Sequence, residues 1–199
     1  MSKVLTFKVE IEELENKIWR VIEITDLKTV ADLAYTILAS FDSLAYHLYD
    51  IKHGKDRYDS MVCIEDYQGK EPIIDATITK LRELDFLKEN KIIMDYDYGS
   101  TTTFIITYLD SRELEKGNGR HYPYVIDGQG RGMLDDVHIG ELVDIVNDID
   151  KKGKSIHDFS PGYERPIKYD YRDYDIKSDN ILLKGKLEDI KYGYEKYED

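Results

Sequence analysis

Apolar and polar residues alternate in the first two segments of the chain, 3–12 and 17–24. A period of two places every second side chain on one face, which predicts two half-buried β-strands. The short link between the segments predicts that they form a hairpin. The apolar positions are Leu5, Phe7, Val9 and Ile11 in the first strand, and Ile18, Ile22 and Ile24 in the second.

Helical periodicity then appears at two places, and further strand patterns lie between them. Apolar residues at helical spacing predict helices over 29–41 and 139–150, with shorter helices near 78–84 and 181–190. Further strands are predicted over 46–53, 58–65, 91–98 and 102–110, the last two as a hairpin around Gly99. Five glycines and Pro123 predict that 111–136 is irregular.

Helices and strands are interspersed without a regular βαβ period, which predicts an α+β fold. We expect a mixed, mostly antiparallel sheet with two or three packed helices. The pattern predicts a domain over residues 1–160. A tyrosine-rich C-terminal extension over 161–199 is then expected to pack on that domain or to continue it.

The net charge and the cysteine content limit which binding partners and which cellular compartment we expect for the protein. The net charge is −13, and residues 151–199 carry 11 basic and 11 acidic residues, so the whole excess lies on residues 1–150. An anionic surface repels phosphate backbones and anionic lipid, so we expect no direct nucleic-acid binding and no membrane association. One cysteine, Cys63, and no apolar signal segment predict a cytoplasmic protein.

Acidic residues close to a hairpin and to a helix offer the main candidate chemistry. Asp95 and Asp97 flank Tyr96 just before Gly99, where they either hold a divalent cation or share a proton, or else face water and cap main-chain amides. Asp135 and Asp136 precede the helix over 139–150, either as its cap or as metal ligands. His47, in a predicted strand, is either a hydrogen-bonded core side chain or a further ligand.

Other conspicuous residues have structural interpretations. Trp19 next to Arg20 predicts a buried indole with the guanidinium at the sheet edge, although stacking on a ligand is the alternative. The run Gly128-Gln129-Gly130-Arg131-Gly132 predicts a tight surface loop, because it opens no helix as a phosphate-binding loop would. Cys63 is expected to be a small buried apolar side chain.

Several stretches resemble the plasmid pRiA4b ORF-3-like family, also described as mobile-element passenger proteins. Ile18-Trp19-Arg20 is similar to its Trp-Arg strand, and Tyr96-Asp97-Tyr98-Gly99 to its Tyr-Asp-Phe-Gly hairpin. The order of the remaining motifs also resembles the family. They are Phe41 with His47-Leu48, Tyr122-Pro123, Gly128, Gly130, Asp135-Asp136, and Asp175-Ile176 with Asn180.

The resemblance implies an α+β fold of the family's own type and a tie to mobile DNA. The chain departs from the family pattern after Gly99, where Ser100, Thr102 and Phe104 stand at places that commonly hold Asp, Trp and His. The first hypothesis is therefore a non-enzymatic binding or regulatory module without a cofactor, associated with mobile elements. It would contact a protein partner or a second copy through the tyrosine-rich C-terminus.

The alternative is a metal-dependent hydrolase. Its site would gather His47, Asp97, Asp135 and Asp136, because carboxylates and an imidazole bind a dication and activate water. Convergence of these side chains in one cleft would favour this second hypothesis.

Overall fold

A computed structural model describes residues 1–59, 72–153, 157–159 and 167–196. Eight strands form one sheet in the order β5-β4-β3-β6-β7-β1-β2-β8. Only the β4–β5 pair is parallel, so the predicted mixed, mostly antiparallel sheet is confirmed. The strands are β1 (Lys3–Ile11), β2 (Trp19–Thr25), β3 (Tyr49–His53), β4 (Asp56–Asp59), β5 (Ile73–Asp75), β6 (Lys91–Tyr96), β7 (Thr102–Glu113) and β8 (Tyr124–Gln129).

The centre of the sheet is β1, which pairs with β2 on one side and β7 on the other. Phe7, Val9 and Ile11 are fully buried, whereas Lys8 and Glu10 on the other face are partly exposed. Because successive side chains of a strand point to opposite faces, the alternating pattern places the apolar set in the core. The predicted hairpin of β1 and β2 is confirmed.

Three helices accompany this sheet in the part of the chain that the structure describes: α1 (Val30–Ser40), α2 (Ile139–Lys152) and α3 (Ile176–Glu195). A capping box begins α1, since the Thr29 hydroxyl accepts from the Asp32 N–H and the Asp32 carboxylate accepts from the Thr29 N–H. Gly153 ends α2 in the left-handed conformation. With the sheet, these helices give the α+β fold that the sequence predicts.

Helix α1 lies between the sheet and α3. Its Tyr35 ring contacts the ring of Tyr49 on β3 edge-on and stacks on Tyr194 of α3, with centroids 5.4 Å apart in the stacked pair. Two ion pairs, Lys186–Asp42 at 2.8 Å and Lys191–Asp32 at 3.0 Å, also connect α3 to the α1 region. The C-terminal helix is therefore packed against the main core.

Several predicted elements differ from those observed. The segment near 78–84 forms a 3₁₀ turn, Leu81–Glu83, in which Leu81 is buried while Ile78 remains exposed. The predicted helix over 181–190 is a longer helix, α3. The region 111–136 is less irregular than expected, because β7 continues to Glu113 and β8 forms an edge strand.

Part of the sequence interpretation lies outside the described residues. Cys63 and most of the predicted strand 58–65 are in that group, together with the domain boundary near residue 160, which stays a prediction. A small hairpin pairs β9 (His157–Phe159) with β10 (Ile167–Tyr169). None of the helices in the described part of the chain combines the length and hydrophobicity that crossing a membrane requires.

Candidate functional site

His47, Asp97 and Asp136 meet at one end of the sheet, and we call these three residues the His47 site. The His47 Nε2 atom lies 2.9 Å from Asp136 Oδ1 and 3.6 Å from Asp97 Oδ2. One donor atom from each side chain can be chosen so that all three lie within 4.8 Å of one another. Three of the four predicted ligands therefore converge, although they are 39 or more positions apart in sequence.

Different elements hold the three side chains in place. His47 lies in the irregular segment between α1 and β3, not in a strand as predicted, and its carbonyl accepts from the Tyr194 hydroxyl of α3. Asp97 follows β6 directly, and its N–H donates to the Leu48 carbonyl at 2.9 Å. Asp136 lies in the loop before α2, where its Oδ2 accepts from the Tyr46 hydroxyl.

Both carboxylates of the His47 site stand on left-handed backbone. The φ angle is +60° at Asp97 and +61° at Asp136. Non-glycine residues adopt this conformation infrequently, although Asp tolerates it better than most, and such positions cluster at functional sites. At Asp97 the conformation is supported by the Gly99 N–H, which donates to Asp97 Oδ1 at 3.0 Å.

The site is open to solvent on one side. The side chain of Asp97 is 9% exposed, whereas that of His47 is 25% exposed and that of Asp136 is 36% exposed. The ring of the exposed Tyr46 lies 4.3 Å from the His47 ring. A small ligand therefore has access to His47 and Asp136, while Asp97 forms the floor.

Asp135, the fourth predicted ligand, is not part of this cluster. It is 1% exposed, and its two oxygens accept three hydrogen bonds, from the Ser43 hydroxyl (2.8 Å), the Leu44 N–H (2.8 Å) and the Tyr96 hydroxyl (2.9 Å). Burial and the negative charge of Asp135 raise the pKa of Tyr96, which keeps that hydroxyl protonated as a donor. Asp135 thus ties the loop before α2 to β6 and to the end of α1.

The acidic pair does not cap α2, contrary to the simpler interpretation. His138 is the cap residue, and its Nδ1 accepts from the Gly140 N–H at 3.2 Å. Asp95, the partner of Asp97 in sequence, accepts from Lys52 Nζ at 2.8 Å and from the Thr103 hydroxyl at 2.7 Å. Asp95 therefore belongs to the sheet surface rather than to the His47 site.

The Trp19-Arg20 pair is oriented opposite to the prediction. Arg20 is 1% exposed and the Trp19 side chain is only half-buried. Arg20 occupies the same strand phase as Ile18, Ile22 and Ile24, so the period of two already indicated an inward side chain. Its guanidinium is accommodated because main-chain carbonyls of Trp19, Ser40 and Gln129 accept from it.

The glycine-rich run is a close-packing segment, not a free surface loop. A Cβ atom at Gly130 would lie 2.3 Å from the Lys17 carbonyl oxygen, and one at Gly132 would lie 2.0 Å from the Phe41 carbonyl oxygen. At Gly128 a Cβ atom would lie 2.9 Å from Arg20 Cδ. Of the other motif residues, Tyr122 accepts from Arg112 at 2.7 Å and Pro123 follows it through a cis peptide bond.

Tyr46 and Tyr194 contact residues of the site, and Ser43 holds the neighbouring Asp135; none of the three was identified from the sequence. Each acts through a hydroxyl group that bonds a residue at least 90 positions away. Since tyrosine and serine hydroxyls are common, sequence spacing carries no signal for such long-range pairs.

Comparison with known proteins gives the same assignment for fold and family. A crystal structure of a protein of unknown function from Methanosarcina mazei Go1 superposes with a TM-score of 0.68 at 19% sequence identity. The match covers 89% of this chain and 96% of that one, which shows a shared fold. Among curated proteins no relative matches. The family model described as plasmid pRiA4b ORF-3-like protein matches residues 3–178, so the chain belongs to the plasmid pRiA4b ORF-3-like family.

Proposed function

We propose that this protein is a metal-dependent hydrolase that binds one divalent transition-metal ion at the His47 site. The supporting observation is the convergence of one imidazole nitrogen and two carboxylate oxygens within 4.8 Å. The three residues come from three separate elements, and the two aspartates stand on left-handed backbone. This combination favours a site whose geometry is held by the fold.

The donor set indicates the kind of metal. Imidazole suits zinc and other transition metals, whereas Mg²⁺ prefers oxygen ligands alone. Ligand atoms bound to one ion at ~2.1 Å lie at most ~4.2 Å apart. The distances of 2.9 and 3.6 Å from His47 Nε2 already fall within this limit. The third separation, between the two carboxylate oxygens, is at most 4.8 Å, which is close to the same limit.

Three protein ligands leave coordination positions for water and substrate, which is the arrangement of catalytic rather than structural metal sites. A dication held by His47, Asp97 and Asp136 would supply Lewis-acid activation of a water molecule at neutral pH. The two carboxylates offset the charge of the dication. Tyr46, by donating to Asp136 Oδ2, would fix that carboxylate so that Oδ1 faces the metal.

Thermal unfolding with Mn²⁺ or Zn²⁺ tests metal binding. A ligand at 100 times its Kd stabilises the folded state by ~2.7 kcal/mol, so the melting temperature should rise in a saturable way. The rise should be lost in His47→Ala and kept in the control His121→Ala, which removes an exposed imidazole outside the site. An unchanged melting temperature with either metal would contradict the proposal.

Turnover is tested separately with bis(p-nitrophenyl) phosphate and p-nitrophenyl acetate. We expect metal-dependent release of p-nitrophenol that Asp97→Asn abolishes. Saturable metal binding without release from either substrate would retain the metal site and reject the hydrolase.

The second candidate is a non-enzymatic binding module associated with mobile elements, with a partner at the C-terminus. Exposed apolar side chains on α3 favour it: Ile181 is 79% exposed, Leu182 55% and Tyr192 60%. By contrast, Tyr169 and Tyr171 of the same extension are buried in the core. Light scattering of the wild type and Ile181→Asp tests self-association, and a constant monomer mass in both would reject a second copy as the partner.

A further inference from the structure

A cavity of about 240 Å³ lies away from the His47 site, between β2, the end of α1, the segment after β8 and the N-terminal half of α3. Its wall includes Arg20, Asp42, Arg131, Tyr174, Asp179 and Lys186. It shares no residue with the proposed metal site. An inference about this cavity therefore does not depend on the proposed hydrolase activity.

Arg20 provides the buried charge of this cavity. Its Nε donates to the Ser40 carbonyl at 3.0 Å, and its Nη1 donates to the carbonyls of Trp19 and Gln129, both at 2.9 Å. Within the described residues, Nη2 makes no hydrogen bond. Nη2 is not among the fully buried unpaired atoms, so its two N–H donors face the cavity, where an acceptor from outside the chain can reach them.

The position of the guanidinium is fixed. Its central carbon lies 3.7 Å from the centroid of the Tyr174 ring and 4.8 Å from that of Phe41. Contacts with both rings, together with three main-chain acceptors, restrain the guanidinium and with it Nη2. The free donors are therefore presented to the cavity in one orientation.

The carboxylate of Asp179 forms an ion pair with the Arg20 guanidinium without a hydrogen bond to it. Asp179 Oδ2 lies 3.8 Å from Arg20 Nε, beyond hydrogen-bond distance, and accepts from the Tyr174 hydroxyl at 3.2 Å. Burial raises the pKa of Asp179, which reflects the incomplete compensation of its charge. The wall holds three further carboxylates. Asp42 is paired with Lys186 at 2.8 Å, Asp175 caps the start of α3, and Asp173 is exposed.

This mixture of charges selects the ligand. A simple anion such as phosphate would bind Arg20 but would lie against Asp179, and a simple cation would meet the reverse conflict. A molecule that carries both charges a few ångströms apart satisfies both groups. The volume is about eight times the ~30 Å³ that one water molecule occupies in the liquid, which is enough for a small organic molecule.

We propose that the Arg20 cavity binds a small α-amino acid, whose carboxylate accepts from Arg20 Nη2 and whose ammonium group donates to Asp179. The ring of Tyr174 covers the guanidinium from one side, and Leu182 borders the cavity on α3.

Calorimetric titration of the full chain with L-alanine, L-serine and L-aspartate tests this proposal. We expect saturable binding of at least one of them in the millimolar range or tighter. Propionate, which lacks the amine, and ethylamine, which lacks the carboxylate, should bind at least about tenfold more weakly because each leaves one charged group unpaired.

Variants on α3 locate the site without disturbing the main-chain contacts of Arg20. Asp179→Asn should weaken amino-acid binding about tenfold or more through loss of a charged partner. Leu182→Trp should block binding by filling the cavity. The control Glu188→Ala changes an exposed residue of the same helix outside the cavity and should bind as the wild type does.

Three results would overturn the proposal. The first is no saturable heat with any of the three amino acids while circular dichroism shows a folded protein. The second is equally tight binding of propionate, which would assign the cavity to plain carboxylates. The third is binding that neither Asp179→Asn nor Leu182→Trp weakens, which would place the ligand elsewhere.

Discussion

Adjacent aspartates with different roles provide a sharp test of the account. Asp135 and Asp136 are identical in chemistry, but Asp135 is 1% exposed and holds three donors, whereas Asp136 belongs to the open His47 site. We predict that Asp135→Asn destabilises the fold strongly, while Asp136→Asn leaves stability almost unchanged. Asparagine is chosen because it also tolerates the left-handed backbone of Asp136.

The magnitude follows from the hydrogen bonds. An asparagine at 135 keeps one oxygen and turns an NH₂ group towards another donor, so either the Leu44 N–H or the pair of hydroxyls loses its acceptor. One or two buried donors left unpaired, plus the loss of charge, cost about 3 kcal/mol. At about 2–4 °C per kcal/mol for a chain of this size, the melting temperature should fall by roughly 6–12 °C.

Asp136→Asn should cost less than about 1 kcal/mol, because its partners Tyr46 and His47 are both partly exposed to water. Urea unfolding followed by Trp19 and tyrosine fluorescence measures both variants. The two variants should rank in the opposite order for metal binding. Asp135→Asn should keep the stabilisation by Mn²⁺, and Asp136→Asn should lose it. Equal destabilisation by the two substitutions, or loss of the metal effect only in Asp135→Asn, would refute the assignment of roles.

Three further predictions concern the fold around the sites. Gly132→Ala should prevent stable folding, because its Cβ atom would lie 2.0 Å from the Phe41 carbonyl oxygen and the backbone φ is +75°. The control Gly185→Ala, in open space on α3, should stabilise the fold by up to ~1 kcal/mol, measured by thermal melting. Asn180→Ala should cost about 1–2 kcal/mol in urea unfolding, since Asn180 bonds both the N–H and the carbonyl of Val125 on edge strand β8. Burial acts to raise the pKa of Asp32, but bonds from the Thr29 N–H and Lys191 outweigh it and hold that pKa below 3.8. Asp32 therefore stabilises the fold above about pH 4 and loses this contribution as the pH falls through its folded pKa, so urea midpoints of Asp32→Asn should depend less on pH in that range.

The local sequence pattern correctly predicted those strands and helices whose buried face follows from the order of their own apolar and polar residues. The alternation in β1 and the capping box of α1 are both readable from neighbouring side chains, and both are observed. Edge strand β8 was missed because Pro123, Gly128 and Gly130 are typical of loops, and because Tyr124 and Ile126 remain exposed. What makes this segment a strand is pairing with β2, a long-range interaction that no local pattern contains.

The His47 site was predicted only in part, because its assembly also depends on long-range interactions. His47, Asp97 and Asp136 were named as candidates, but their approach depends on how the ends of α1, β6 and the loop before α2 meet. Sequence reasoning also included Asp135, because two adjacent aspartates differ only in the direction their side chains take. Arg20 shows the converse: its strand phase indicated burial, but the acceptors that permit it, such as the Gln129 carbonyl, come from distant segments.

Anomalous diffraction from crystals soaked in Mn²⁺ or Zn²⁺ tests the central claim most directly. We expect one strong peak at ~2.1 Å from His47 Nε2 and from one oxygen each of Asp97 and Asp136. A map with no peak at these three side chains under saturating metal, while Asp136 still contacts His47, would contradict the assignment of a metal site.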